Sequence, residues 1–161
     1  MSSVKHVSQA RQPSKASRGD LPDVNVWLAL AVNQHPHHDA AAAYWRGPDV
    51  GPVWFCRVTM LGLVRLLSNP KVMGEQALDL KQSIATYHRF AALPEIGWHA
   101  EPSDCADRLQ QLVSTDLPAR LLTDAYLAAF AESARLRRVT FDKGLGRFQG
   151  LDCLRLSTAK H

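Results

Sequence analysis

The sequence predicts an α/β fold of three layers, a central parallel sheet flanked by helices. Three observations carry that expectation. Short apolar runs recur along the chain and read as strands covered on both faces, as in a parallel sheet. Segments with apolar residues at helical spacing lie between them. Strands and helices alternate in order, which is the pattern of a parallel sheet joined by crossover helices.

The first run, Leu21 to Leu30 (LPDVNVWLAL), reads as a strand passing directly into a helix, with Asp23 and Asn25 set into apolar surroundings. An alanine-rich helix follows from Asp39 to Arg46, and Gly47-Pro48 stops it. Val53 to Cys56 is a short second strand. Thr59 to Leu67 reads as a helix with Leu63, Leu66 and Leu67 on one face, ended by Ser68-Asn69-Pro70. A long helix is expected over 74–92, then a short strand at Ile96 to Trp98. Helices at 103–114 and 122–134 and strands at 138–141 and 151–156 complete the order.

The 161 residues fit one domain, expected at 21–161 behind a basic, disordered tail at 1–20. The 46% hydrophobic and 21% charged fractions exclude collagen-like, mainly disordered and membrane-spanning classes. Lys plus Arg total 19 against 15 Asp plus Glu, a formal +4. The tail contributes Lys5, Arg11, Lys15 and Arg18 against Asp20 alone, so the remaining body is nearly neutral. Basicity therefore argues little for nucleic acid. Cys56, Cys105 and Cys153 show no zinc-ligand spacing and read as buried reduced thiols. No apolar core of a secretory signal follows the first charges, and no stretch nears the ~20 apolar residues of a membrane helix. A cytoplasmic location is expected.

The acids carry the chemistry. Asp23 lies in the first apolar run, where a charge needs a partner or a metal. Asp142 directly follows the strand at 138–141. Asp124 stands near the start of the helix LTDAYLAAFA; taken alone it reads as a capping or first-turn acid, and Asp142 alone as a loop acid. In open α/β sheets ligands bind beyond the carboxyl ends of the strands, so these three can converge there. Converging carboxylates repel unless a cation neutralises them, and oxygen-only ligands suit Mg²⁺ or Mn²⁺ rather than zinc. A cation held this way can activate water for phosphodiester hydrolysis.

Four segments resemble PIN-domain ribonucleases, in particular the VapC toxins of bacterial toxin–antitoxin pairs: DVNVWLAL, VTMLGLVRLLSNP, LTDAYLAAFA and VTFDKGL, in family order from Leu21 to Phe148. The resemblance implies a PIN-like fold and an Mg²⁺-dependent endoribonuclease that inhibits growth. It matches Asp23, Asp124 and Asp142 to the family's metal-site acids. It also implies a homodimer, a cognate VapB-type antitoxin masking the site, an RNA substrate, and contact with DNA only through the antitoxin. The departure is Met60, where many members carry Glu; methionine offers Mg²⁺ no oxygen. That leaves a rival reading, a catalytically weakened PIN module that binds RNA or its antitoxin. A phosphatase on a similar sheet needs a DxD motif, and DVN at Asp23 is not one. On the active reading, Asp23→Asn is expected to abolish cleavage and leave the fold intact.

The other features have blander readings. Asn25 shapes the site or holds the turn after the first strand. Thr123 is expected to cap its helix. Arg65 is assigned to phosphate or an internal ion pair. His35, His37 and His38 read as surface residues at a helix start, and Trp27, Trp54 and Trp98 as core. Arg135, Arg137, Arg138, Lys143 and Arg147 surround Asp142 and form either a wall for an RNA backbone or a solvated face.

Overall fold

The computed structural model describes residues 19–157. The expected tail at 1–20 lies outside the described residues apart from Gly19 and Asp20. Asp20 is not tail: it opens the first strand and is fully buried. The described chain from residue 20 onward thus follows a segment carrying four basic residues and no acid, and residues 20–161 hold 15 of each sign.

Five strands form one all-parallel sheet: β1 (Asp20–Pro22), β2 (Val53–Phe55), β3 (Ile96–Trp98), β4 (Arg137–Thr140) and β5 (Cys153–Arg155). Their order is β3-β2-β1-β4-β5. The chain winds outward from β1 to β3 and then crosses back to lay β4 against the other side of β1. The reversal falls between β1 and β4, and a crevice opens beyond the carboxyl ends of such a pair.

Among the described residues, seven α-helices connect and cover the sheet: α1 (Val24–Ala31), α2 (His38–Arg46), α3 (Arg57–Leu67), α4 (Pro70–Met73), α5 (Leu80–Ala91), α6 (Cys105–Leu112) and α7 (Leu122–Ala134). Strand alternation sorts the two faces. Leu21 packs with Leu127, Phe130, Ala131 and Leu136 beneath α7. Val139, of opposite parity, packs with Val26 and Tyr44 on the other side. There α1, α3 and α5 enclose an aromatic cluster in which Trp27 stacks on Phe55 at 3.8 Å between ring centroids and meets Phe90 edge-on. These are the three layers the sequence predicts.

Departures are local. The long helix expected over 74–92 begins only at Leu80. Gly74 takes a positive φ of 57° after α4, and Asp79 makes a capping box with Gln82 that fixes a new helix start. Trp98 is not core: it is 41% exposed, with the Arg57 guanidinium 4.7 Å from its ring centroid. Trp54 is partly buried and lies so close over Gly97 that a Cβ there would meet its ring at 2.4 Å. Cys56 and Cys105 are buried and free, as expected, whereas Cys153 is exposed on the edge strand β5.

The joint between α7 and β4 matters for the site. Arg135 adopts the left-handed conformation at the end of α7, a strained choice for a non-glycine residue. Its amide and that of Leu136 close back onto Glu132 and Ala131. Leu136 thereby turns into the core and β4 starts in register with β1, Arg137 opposite Asp20 and Arg138 opposite Leu21.

Candidate active site

Asp23 is the N-cap of α1 by backbone, its carbonyl accepting from the amides of Val26 and Trp27. Its side chain does not cap. The carboxylate is turned towards β4 instead. Oδ1 accepts from Nη2 of Arg138 at 2.8 Å, and Oδ2 accepts from the hydroxyl of Thr140 at 2.8 Å. Parity explains why these meet: Arg138, Thr140 and Asp142 alternate onto one face of β4 and its continuation, the face Leu21 and Asp23 share on β1.

Thr140 also accepts from the backbone amide of Asp142 at 3.0 Å. One hydroxyl thus ties the carboxylate of Asp23 to the backbone that carries Asp142. Asp142 is exposed, and its Oδ1 accepts from the amide of Gly144, a local turn that ties the side chain to the loop after β4. Asp124 sits in the first turn of α7, partly buried. Burial pushes its carboxyl above the ordinary value of 3.8, and the charges of Asp23 and Asp142 push it further, while Arg138 and Arg147 oppose the rise. Asp23 and Asp142 thus stand at the carboxyl ends of β1 and β4, and Asp124, at the start of α7, feels the charge of each.

Among the described residues, no three His, Cys, Asp or Glu side chains form a ready-made cage for a metal ion. The donor set nevertheless fits a hydrated hard cation. It is oxygen-only, and Mg²⁺ keeps several waters and takes one or two carboxylates rather than a full protein cage. The mutual repulsion felt at Asp124 is what a bound cation would relieve.

Several sequence expectations are corrected here. Thr123 does not cap α7; Leu121 occupies the cap position with no side-chain bond, and Thr123 is exposed two residues further in. Asn25 is exposed on α1 and Arg65 near the end of α3, positions that leave both sequence readings as expectations. The basic group around Asp142 is not one wall. Arg137 points to the far face and pairs through Nε and Nη2 with both oxygens of Asp20 at 2.8 and 2.9 Å, where Tyr44 adds a third bond. Arg138 is fully buried. Arg135, Lys143 and Arg147 remain exposed, Arg147 donating to the carbonyl of Gly144. The histidines are partly buried, not surface residues. His37 stacks on Phe141 and donates its amide to the ring of His35, and the His38 ring meets the carbonyl of Ala29 at 2.7 Å. They fasten the turn between α1 and α2. Met60 packs partly buried against the Trp27–Phe55 cluster.

Sequence reasoning missed the roles of Thr140 and Arg138. The available signal was an arginine and a threonine in a strand otherwise covered on both faces, at the same parity as Asp142.

A five-stranded parallel sheet with acids at its reversal point defines an α/β domain with an acidic crevice, and comparison with known proteins gives that class a family. The PIN domain family profile matches residues 21–151. Ribonuclease VapC41 of Mycobacterium tuberculosis is 35% identical over 138 residues, covering 82% of this chain and 94% of its own length. Ribonuclease VapC38 of the same organism is 34% identical over 127 residues, covering 78% and 86%. Among solved structures, M. tuberculosis VapC20, described as a sarcin-ricin loop cleaving toxin, superposes with a TM-score of 0.61 at 17% identity, covering 83% of this chain and 96% of its own. VapBC2 from Rickettsia felis bound to a DNA fragment from its promoter gives 0.60 at 9% identity, covering 86% and 98%. The chain belongs to the PIN-domain family, among the VapC-type proteins.

Proposed function

We propose that the chain is a divalent-cation-dependent endoribonuclease, the toxic component of a toxin–antitoxin pair, with Asp23, Asp124 and Asp142 holding Mg²⁺ or Mn²⁺. The observation that carries this reading is the shared Thr140 hydroxyl, which links the Asp23 carboxylate to the Asp142 backbone where the parallel sheet reverses; the Asp124 carboxyl, raised first by burial, also feels the charges of both acids. Relatives named as ribonucleases over 94% and 86% of their own lengths supply the substrate class.

When bound, the cation would supply charge to polarise a phosphodiester and lower the pKa of water. The chain's own residues do the rest. The single hydroxyl of Thr140 holds the Asp23 carboxylate and the backbone amide of Asp142. Arg147 and Lys143, exposed beside Asp142, are placed to pair with flanking phosphates. A cognate VapB-type antitoxin would mask the crevice, DNA contact coming only through it; a homodimer and a cytoplasmic location belong to the same reading. Among the described residues no helix is long and apolar enough to cross a membrane.

A second reading has one observation in its favour. The family resemblance puts an acid where Met60 stands, and Met60 packs, partly buried, against the Trp27–Phe55 cluster. On that reading the chain is a weakened PIN module that binds RNA or its antitoxin without cutting. The test is to incubate the full chain, freed of any partner, with total RNA in Mn²⁺, in Mg²⁺ and in EDTA. Discrete fragments that need the cation support the nuclease. Intact RNA under every condition, with cleavage gained in Met60→Glu, supports the weakened module.

A further inference from the structure

Arg138 has no part in the chemistry described above, yet with Asp20 it is one of the fully buried charges among the described residues. Its side chain is fully buried under α7 with no exposure at all. Only Nη2 has a partner, Oδ1 of Asp23 at 2.8 Å. Nε and Nη1 are buried and have no hydrogen-bond partner among the described residues. A guanidinium normally enters a protein interior with its fork satisfied, often by both oxygens of a carboxylate. The neighbouring Arg137 does so with Asp20 on the opposite face. Arg138 does not: its one bond goes to Oδ1 of Asp23, while Oδ2 of Asp23 accepts from Thr140.

The pair is therefore bound by charge and enclosure more than by geometry. It leaves the crevice with three acids and one internal cation. We propose that Arg138 is a resident counter-cation of the acidic crevice: by competing for Asp23 it holds the site's affinity for its divalent ion low. The inference rests on the cation-dependent reading above. An ion approaching Asp23 meets a positive charge that the sheet and α7 keep from swinging into solvent. It must bind against that repulsion or displace a buried side chain, and both weaken binding. Arg138 is thus a positioning residue that acts through Asp23 and does not touch the substrate.

The test is calorimetric titration of the full chain with Mn²⁺ alone, comparing wild type, Arg138→Met and Arg138→Lys at one pH and ionic strength. Removing a buried unit charge beside a divalent ion should tighten Mn²⁺ binding by about tenfold or more in Arg138→Met. Arg138→Lys keeps the charge and should stay close to wild type, which a purely structural role would not require. If Arg138→Met does not fold, Arg138→Gln makes the same neutral test in a polar side chain. Equal affinity in wild type and the neutral variant overturns the role of Arg138 and leaves the cation reading standing. Weaker binding in the neutral variant overturns it too, because Arg138 would then organise the site rather than compete for it. No Mn²⁺ binding in wild type or any variant overturns the cation reading, and this inference with it.

Discussion

Nη2 of Arg138 and Oδ1 of Asp23 lie 2.8 Å apart, tying the second residue of β4 to the residue that follows β1, in the strand pair where the sheet order reverses. The same strand pair is joined at its other end by Arg137 and Asp20. Two consecutive arginines thus point to opposite faces, one pairing with Asp20 at the start of β1 and the other with Asp23 just past its end. The lower pair is structural. The upper pair makes a site acid part of the fold.

That coupling changes what a substitution at Asp23 should do. Asp23→Asn leaves a buried guanidinium without its counter-charge, and breaking such a pair costs on the order of 3 kcal/mol. The variant should lose stability as well as any activity, against the sequence-based expectation of an intact fold. The double variant Asp23→Asn/Arg138→Met should recover most of the loss in urea unfolding. An unchanged midpoint in Asp23→Asn alone would show that Arg138 does not depend on Asp23.

Asp124 should behave in the opposite sense. Its carboxyl is raised above 3.8, so folding is favoured when it is protonated and is penalised once the pH rises through the raised value. Asp124→Asn should therefore raise the melting temperature near pH 7 without divalent ions. The gain should shrink as the pH falls into the carboxylate range, where wild-type Asp124 takes up its proton. Mn²⁺ should stabilise wild type more than the variant. A gain that does not vary with pH would contradict the assignment.

Thr140 is nearly fully buried and serves both neighbours at once. Thr140→Val leaves the amide of Asp142 and one oxygen of Asp23 short of a partner, at a cost of about 1–3 kcal/mol. Thr140→Ser should retain most of the stability, since the hydroxyl is what the two acids share. Equal midpoints for the two variants in chemical denaturation would remove the hydroxyl from the account.

Asp20 provides the contrast. It is fully buried and accepts from Arg137 twice and from Tyr44 once, on the face away from the crevice. Asp20→Ala should cost about 3–5 kcal/mol. Once folded, it should bind Mn²⁺ with unchanged affinity. A shift in that affinity would mean the two faces are coupled.

The fold was legible because it follows from periodicity: covered strands and one-sided helices read directly from residues such as Leu21, Val53, Ile96 and Val139. The positions of Asp23, Asp124 and Asp142 were legible because each stands at the edge of an apolar element. What the sequence did not show was side-chain commitment. Arg137 and Arg138 are adjacent in a basic stretch that suggests a phosphate-binding wall. Only strand parity and register reveal that each turns inward to an aspartate more than a hundred residues earlier. The misplaced start of α5 has a similar cause, since the capping box of Asp79 and Gln82 outweighs the helical spacing before it.

The central claim is that the crevice acids hold a cation for RNA cleavage, and Asp142 tests it most directly. It is exposed, and asparagine can still accept the Gly144 amide, so Asp142→Asn should melt with wild type. The decisive measurement is cleavage of total RNA by wild type and Asp142→Asn across a Mn²⁺ series, with EDTA as the zero point. The account predicts fragments from wild type that rise with Mn²⁺ and vanish in EDTA, and none from the folded variant. Equal cleavage by both proteins, or cleavage that persists in EDTA, would contradict it.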